Sequence, residues 1–375
     1  MKILFVCENY LPHIGGAEIV FKNLAENMVK LGHEVSLVTH QLKNTKKFEI
    51  INGVKVHRVD CFDSRYLFTF LSIQKVIKLA RKADVIQTTT FNGAPPAWLA
   101  GRLVNKPVVL TVHEVWINKW DKVTNFSKIN CFIHNILEKM VYFLKFDKYV
   151  TVSEATKKDL IKIGINEKKV KRIYNGFDYN FWNEKNFNGN SVRKKLNLGT
   201  KFVYFSWGRP GTSKGFEYVI RAVPKIVEKI PNSIFLLMLG GKEQYKDNYN
   251  NLINLIKKLN IKDNVKVISS VKYDELGNYI KAADCVVIPS IAEGFGYTTV
   301  EAGALGVPVV ASNVGSIPEI ISGKYSLFEP KNINDLATKV IKVNGSEFQQ
   351  SKPKKFLWKE CVQKYLQIYN HLISK

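Results

Sequence analysis

Continuous apolar runs alternate with amphipathic ones along most of the chain. Residues 3–7 (Ile-Leu-Phe-Val-Cys) have no polar member, as expected of a strand covered on both faces. After a loop with Pro12 and Gly15-Gly16, residues 17–31 place Ile19-Val20, Leu24, Met28 and Leu31 at helical spacing, and Gly32 ends the pattern. Strands are predicted at 35–39, 54–59, 85–88, 108–112 and 150–152, with helices at 67–80, 97–103 and 154–163. Residues 129–146 predict a further helix with Ile129, Ile133, Ile136, Leu137, Met140, Val141 and Leu144 on one stripe and Phe132, Tyr142 and Phe143 off it. A well-buried helix is the expectation there, and contact with a membrane or lipid acceptor is the alternative.

Residues 179–197 are rich in Asn and Lys and lack a period, which predicts a linker after the Asn175-Gly176-Phe177-Asp178 turn signature. A second series then begins. Strands are expected at 202–206, 234–239, 265–268, 285–288 and 309–311. Helices are expected at 216–230, 249–259, 274–282 and 299–305, and an amphipathic helix closes the chain at 357–373. Alternation of this kind predicts parallel sheets with helices on both sides. A length of 375 residues calls for two α/β domains, 1–180 and 181–356.

Composition narrows the setting. With 46% hydrophobic and 12% aromatic residues the chain is globular rather than disordered. No apolar run reaches the ~18–20 residues of a membrane span. The apolar start runs into Glu8-Asn9-Tyr10 without a cleavage signal, so a cytoplasmic chain is expected, with peripheral contact at the cytoplasmic membrane face as a further option. Cys7, Cys61, Cys131, Cys285 and Cys361 are odd in number and widely spaced, which indicates neither a disulfide framework nor a zinc site. The net charge of +24 raises the question of nucleic acid. However, residues 1–180 and 181–375 each hold 28 Lys+Arg against 16 Asp+Glu, with no basic tail or Arg-rich stripe. Solvated surface is the expected origin of the charge, attraction to an anionic membrane comes second, and no nucleic-acid partner is expected.

Four stretches carry candidate chemistry. Gly15-Gly16-Ala17-Glu18 lies between a strand and a helix N-terminus, where backbone N–H groups favour phosphate. It is not a dinucleotide fingerprint, since G-x-G-x-x-G is missing and the second strand ends in Thr39-His40-Gln41 with no acid for a ribose. Gly208-Arg209-Pro210-Gly211-Thr212-Ser213-Lys214-Gly215 opens the helix from Phe216 and sets two cations in a Gly-rich loop, suited to a diphosphate. In Glu293-Gly294-Phe295-Gly296-Tyr297-Thr298-Thr299-Val300-Glu301 two carboxylates stand eight positions apart at the carboxyl end of a strand, where open α/β sheets bind ligands. Plain helix capping by Thr298 and Glu301 is the structural alternative. His113-Glu114 follows the strand at 108–112, again at a carboxyl end.

With these residues in hand the chain resembles glycosyltransferase family 4, the retaining group 1 enzymes of GT-B fold, over nearly its whole length. The resemblance rests on Gly15-Gly16-Ala17-Glu18, His113, Ser153-Glu154-Ala155-Thr156, Asn175-Gly176, Arg209 with Lys214-Gly215, Ala283-Asp284 through Pro289-Ser290, the Glu293/Glu301 pair, Gly306-Val307-Pro308 and Gly315-Ser316-Ile317-Pro318-Glu319. It implies two Rossmann-like domains facing a cleft, with the first on the acceptor side, the second on the donor side, and residues 357–375 crossing back onto the first. It also implies that Arg209 and Lys214 neutralise the donor diphosphate and that Glu301 binds the ribose hydroxyls. Glu293, Gly294 and the backbone at Phe295, Gly296, Tyr297 and Thr298 would hold the sugar and phosphates. His113 would contact the sugar, and Gly15 and Gly16 would line the diphosphate. The implied reaction moves a sugar, a hexose by preference, from a nucleotide-diphosphate sugar to a hydroxyl of a glycan or lipid-linked glycan. UDP is preferred over GDP, and neither a cofactor nor a metal is expected. Two departures stand out: Ser326 replaces the second of two family glycines after Gly323, and residues 343–356 are short. Rival readings are a sugar-nucleotide epimerase of the same fold, a nicotinamide oxidoreductase, which the missing fingerprint disfavours, and a non-catalytic sugar-nucleotide binder.

Overall fold

The apolar run after Lys2 becomes a central strand in the computed structural model of the protein, which describes residues 1–13 and 15–374. Two units are present. One comprises Met1–Asn118, Lys128–Phe177 and the stretch from Phe356 to the C-terminus; the other comprises Lys119–Ser127 and Asp178–Lys355.

In the first unit the order is β1 (Lys2–Val6), α1 (Gly16–Lys30), β2 (Glu34–His40), β3 (Phe48–Ile51), β4 (Val54–Val59), α2 (Phe68–Leu71), α3 (Ile73–Ala80), β5 (Val85–Thr89), α4 (Ala94–Val104) and β6 (Val108–Val112). A short helix α5 (Trp120–Val123), which groups with the second unit, precedes α6 (Lys128–Phe143), β7 (Lys148–Thr151), α7 (Glu154–Lys162) and β8 (Val170–Arg172). The sheet order is β3-β4-β2-β1-β5-β6-β7-β8. All pairs are parallel except β3 with β4. Ile3, Leu4, Phe5 and Val6 are buried on both faces, which is why β1 takes the middle. Its Leu4 stands beside Ile86 of β5.

The helix α6 departs from the expected burial. Its inward residues are Cys131, Glu138, Val141 and Tyr142. Ile129, Ile133, Ile136, Leu137 and Met140, expected in the core, are exposed. Glu138 lies on the inward face, where its carboxylate accepts the Trp116 backbone N–H at 2.8 Å and so offsets part of the cost of its burial.

The C-terminal helix Trp358–Ile373 packs on this unit, as the family resemblance implies. Tyr365 and Tyr369 are fully buried. The Tyr365 hydroxyl shares a 2.9 Å hydrogen bond with Thr111 Oγ1, and the Tyr369 hydroxyl donates to Gln87 Oε1 at 2.8 Å. Gly176 is the contact that lets the helix lie down, because a Cβ there would stand 2.2 Å from the Trp358 ring.

The second unit holds α8 (Gly189–Lys195), β9 (Phe202–Gly208), α9 (Phe216–Lys229), β10 (Ser233–Leu239), α10 (Lys246–Lys258), β11 (Val265–Ser269), α11 (Leu276–Ala282), β12 (Cys285–Ile288), α12 (Tyr297–Ala304), β13 (Val309–Ser312), α13 (Ile317–Ile320), β14 (Gly323–Phe328), α14 (Ile333–Asn344) and β15 (Gln349–Ser351). The seven strands run β11-β10-β9-β12-β13-β14-β15, and only β15 is antiparallel to its neighbour. The stretch 179–197, expected as a linker, is folded. Phe181 stacks on Tyr273 with ring centroids 5.4 Å apart, Trp182 is buried against both, and Arg193 of α8 pairs with Asp284 at 2.6 Å.

Candidate active site

In the second unit β9 runs out into the Arg209–Gly215 loop, and β12 into the loop that carries Glu293. Two contacts stitch these loops together. The Ile291 N–H donates to the Ser213 carbonyl at 2.7 Å. Gly215, at φ +65°, lies so close to Pro289 that a Cβ would stand 2.0 Å from the Pro289 carbonyl oxygen, so glycine is required twice over.

The stitching brings charged groups together. Lys214 Nζ donates to Glu293 Oε2 at 2.9 Å, and Ser290 Oγ donates to the same oxygen at 3.3 Å. Ser316 fixes the backbone of Glu293 by donating both its N–H and its hydroxyl to the Glu293 carbonyl, each at 3.1 Å. Arg209 is exposed, and its backbone carbonyl accepts the Gly211 N–H at 2.8 Å, which tightens the loop. A small cavity beside Lys214 is lined by Trp207, Pro289, Ser290 and Thr298.

Glu301 is buried in α12. The Tyr273 hydroxyl lies 3.4 Å from Glu301 Oε1 and itself accepts from Trp182 Nε1–H at 3.1 Å. Burial pushes the Glu301 carboxyl up to about 7, against hydrogen bonds from Tyr273 and Trp207 and the charge of Lys214, which favour its ionised form. The capping alternative does not describe this helix. Gly296 occupies its N-cap position, and no side chain bonds there. Gly294, Phe295 and Gly296 are buried, while Tyr297 and Thr298 are half-buried. The Phe295 ring meets Tyr297 edge-on at 5.0 Å, so that side chain is packing and only its backbone remains for a ligand.

In the first unit Gly15 is buried and extended at the N-cap of α1, and Gly16 begins the helix. A Cβ on Gly16 would meet nothing within 4 Å, so the fold itself does not call for glycine there. His113 follows β6. Its ring centroid is 6.4 Å from that of Phe21, and its Nε2 is closed off from solvent with no partner among the described residues. Burial lowers the His113 imidazole to about 4, opposed by Glu18, so the ring is neutral at physiological pH. The Ser153-Glu154-Ala155-Thr156 motif supports this histidine. Ser153 caps α7 by accepting the Thr156 N–H at 3.1 Å, and Thr156 Oγ1 donates to the His113 carbonyl at 3.2 Å.

Three partners were not legible in the sequence. Trp207 and Tyr273 reach Glu301 from separate strand ends, with no motif of their own. Glu8, buried just past β1, is held by Arg65 at 2.7 Å and by Asn92, and burial raises its carboxyl above the ordinary range. Its place at a strand's carboxyl end was its signal.

Two open, mostly parallel sheets, one ending in a cation loop and a carboxylate pair, are the arrangement of a GT-B glycosyltransferase, and comparison with known proteins agrees. Residues 14–181 match the family described as Glycosyltransferase Family 4, and residues 189–356 match Glycosyl transferases group 1. An uncharacterized glycosyltransferase of Methanocaldococcus jannaschii is 34% identical, covering 92% of this chain and 89% of that protein. The phosphatidylinositol N-acetylglucosaminyltransferase GPI3 subunit of Saccharomyces cerevisiae is 22% identical across 100% of this chain and 83% of its own length. Among solved structures, Anabaena HepE in complex with UDP and glucose superposes with a TM-score of 0.74 at 20% identity, covering 99% of each chain. The chain belongs to glycosyltransferase family 4.

Proposed function

We propose that the protein is a retaining, metal-independent glycosyltransferase that takes a hexose from a nucleotide-diphosphate sugar, with UDP ahead of GDP. The acceptor is a hydroxyl of a glycan or lipid-linked glycan. A UDP-bound structural neighbour and a relative named for a phosphatidylinositol acceptor support that choice of substrates. The observation that carries the reading is the junction of Lys214, Glu293 and Glu301 at the carboxyl end of one parallel sheet.

The chemistry required is cleavage of an anomeric C–O bond as charge grows on the departing diphosphate. Arg209 and Lys214 neutralise that charge. Lys214 donates to Glu293, so on this reading donor binding is an exchange: the ammonium passes to the phosphates and the freed Glu293 carboxylate accepts sugar hydroxyls. Glu301 accepts the ribose hydroxyls. Neutral His113, with Nε2 unspent, donates to or accepts from the sugar, while Gly15 and Gly16 give the diphosphate close access to backbone.

The test is a panel of nucleotide sugars assayed for released nucleoside diphosphate, followed by calorimetry with the diphosphate alone. Glu301→Gln is expected to weaken diphosphate binding roughly ten- to a hundredfold, the loss of a charge-assisted bond. Glu293→Gln is expected to abolish most transfer yet leave diphosphate binding intact or tighter, since Lys214 loses its competitor. The reverse pattern would exchange the two roles, and no change in either variant would end this reading of the site.

A further inference from the structure

We propose that the exposed apolar faces of α6 and of the α2 region form one docking surface for an anionic lipid bilayer. Of the 20 large apolar side chains exposed among the described residues, 12 fall within 62–71 and 129–143, so the exposure is concentrated rather than scattered. On α6 the outward residues Ile129, Phe132, Ile136, Met140 and Phe143 recur every three or four positions and define one helix face, with Phe143 83% and Ile129 72% exposed. The two elements join at Tyr66, whose hydroxyl lies 3.2 Å from His134 Nε2 of α6. From there Phe70, 68% exposed, continues the apolar surface.

The charge around this surface selects the occupant. Lys128, Lys139 and Lys145 on and beside α6, and Lys75 and Lys78 on α3, are all exposed. The one acid on α6, Glu138, is buried and bonded to the Trp116 N–H. Exposed Asp63 has Lys43 within 3.8 Å. A second copy of the chain would face this cationic rim with its own, at +24 on each partner. An anionic bilayer instead neutralises the lysines while the apolar face enters the headgroup boundary, and aromatic Phe and Tyr side chains suit that depth. No helix among the described residues is long and apolar enough to cross a membrane, so the contact is one of lying on the surface. The proposal stands apart from the sugar-transfer reading, because its readout needs no donor.

The experiment is co-sedimentation of the full chain with vesicles of phosphatidylcholine alone or mixed with phosphatidylglycerol, at about 0.05 M and about 0.5 M salt. Binding is expected to the mixed vesicles at low salt and to fall at high salt. It should fall at least tenfold in a Phe70→Ser/Phe132→Ser/Phe143→Ser variant, and about fivefold for each lysine in the series Lys128→Ala, Lys139→Ala and Lys145→Ala. Thermal melting confirms that each variant is folded. Should the triple variant misfold, Phe143→Trp supplies an independent readout: quenching by brominated lipid beyond that of the wild type supports insertion, and its absence overturns it. Equal binding to both vesicles, binding to neither, or a lipid-free dimer that the serine substitutions dissolve would each overturn the proposal.

Discussion

At Glu301 the demands of binding and of folding oppose each other. Its carboxyl lies at about 7 in the folded chain against an ordinary value of 4.5, because burial disfavours the charge. Between those two values the folded chain holds a proton that the unfolded chain has released. Stability therefore falls as pH rises from about 4.5 to about 7, by an amount of order 1–3 kcal/mol. Glu301→Gln removes this decline. Above pH 7 the donor-free variant is expected to melt higher than the wild type, by roughly 2–4 °C per kcal/mol, even as it loses diphosphate affinity. Function runs the other way along the pH axis. If the ionised carboxylate is what accepts the ribose, kcat/KM for the donor should rise through an acid limb near pH 7. His113, at about 4, contributes nothing to that limb. A melting series and a rate profile over pH 5–9 check both halves, and a limb that survives in Glu301→Gln would assign it to another group.

At the scale of elements, the chain announced itself where one face or both faces of an element were apolar. β10 and β12 read directly because their residues are buried throughout, and β1 and β9 because an unbroken buried run, 3–6 and 202–206, makes up most of each. β3 and β15 did not, being short edge strands whose burial is at most partial. The 179–197 stretch reads as a linker because Phe181, Trp182 and Phe187 pack as a cluster with Tyr273, a contact without periodicity. α14 buries Leu336, Ala337, Val340 and Val343, a helical stripe that stands in the sequence. Arg209, Lys214 and Glu293 were legible because each sits in a Gly-rich turn at a strand end, and Glu301, in α12, because it stands eight positions after Glu293. Trp207 and Tyr273 were not, because they reach Glu301 across the fold. The same distinction bears on α1. Gly16 has no packing or backbone reason to be glycine, and alanine is the better helix former. Gly16→Ala is thus expected to melt at or slightly above the wild-type temperature while, on the proposed reading, donor turnover drops at least tenfold, because the added methyl would occupy the approach to the diphosphate. Unchanged turnover would return Gly16 to the status of an ordinary helix start.

The whole molecule consists of two units with separate cores, and its last helix belongs to the first. Those cores suggest two responses to perturbation. Tyr365 is fully buried in the first unit, and its hydroxyl is part of a chain that also includes Thr111, Gln87 and Tyr369. Tyr365→Ala removes a large side chain and leaves Thr111 short of a partner, at a cost of about 3–5 kcal/mol by analogy with other aromatic truncations. UDP, on the proposed reading, binds the loops of the second unit, and at a hundred times its dissociation constant would stabilise that unit by about 2.7 kcal/mol. In scanning calorimetry the two perturbations are expected to move different parts of the heat absorption. Tyr365→Ala should pull out an early transition roughly 10 °C or more below the wild type. UDP added to that variant should raise the later transition and leave the early one in place. One sharp transition, lowered as a whole by Tyr365→Ala and raised as a whole by UDP, would show instead that the two units melt as a single cooperative block. The C-terminal helix would then matter to donor binding through stability alone.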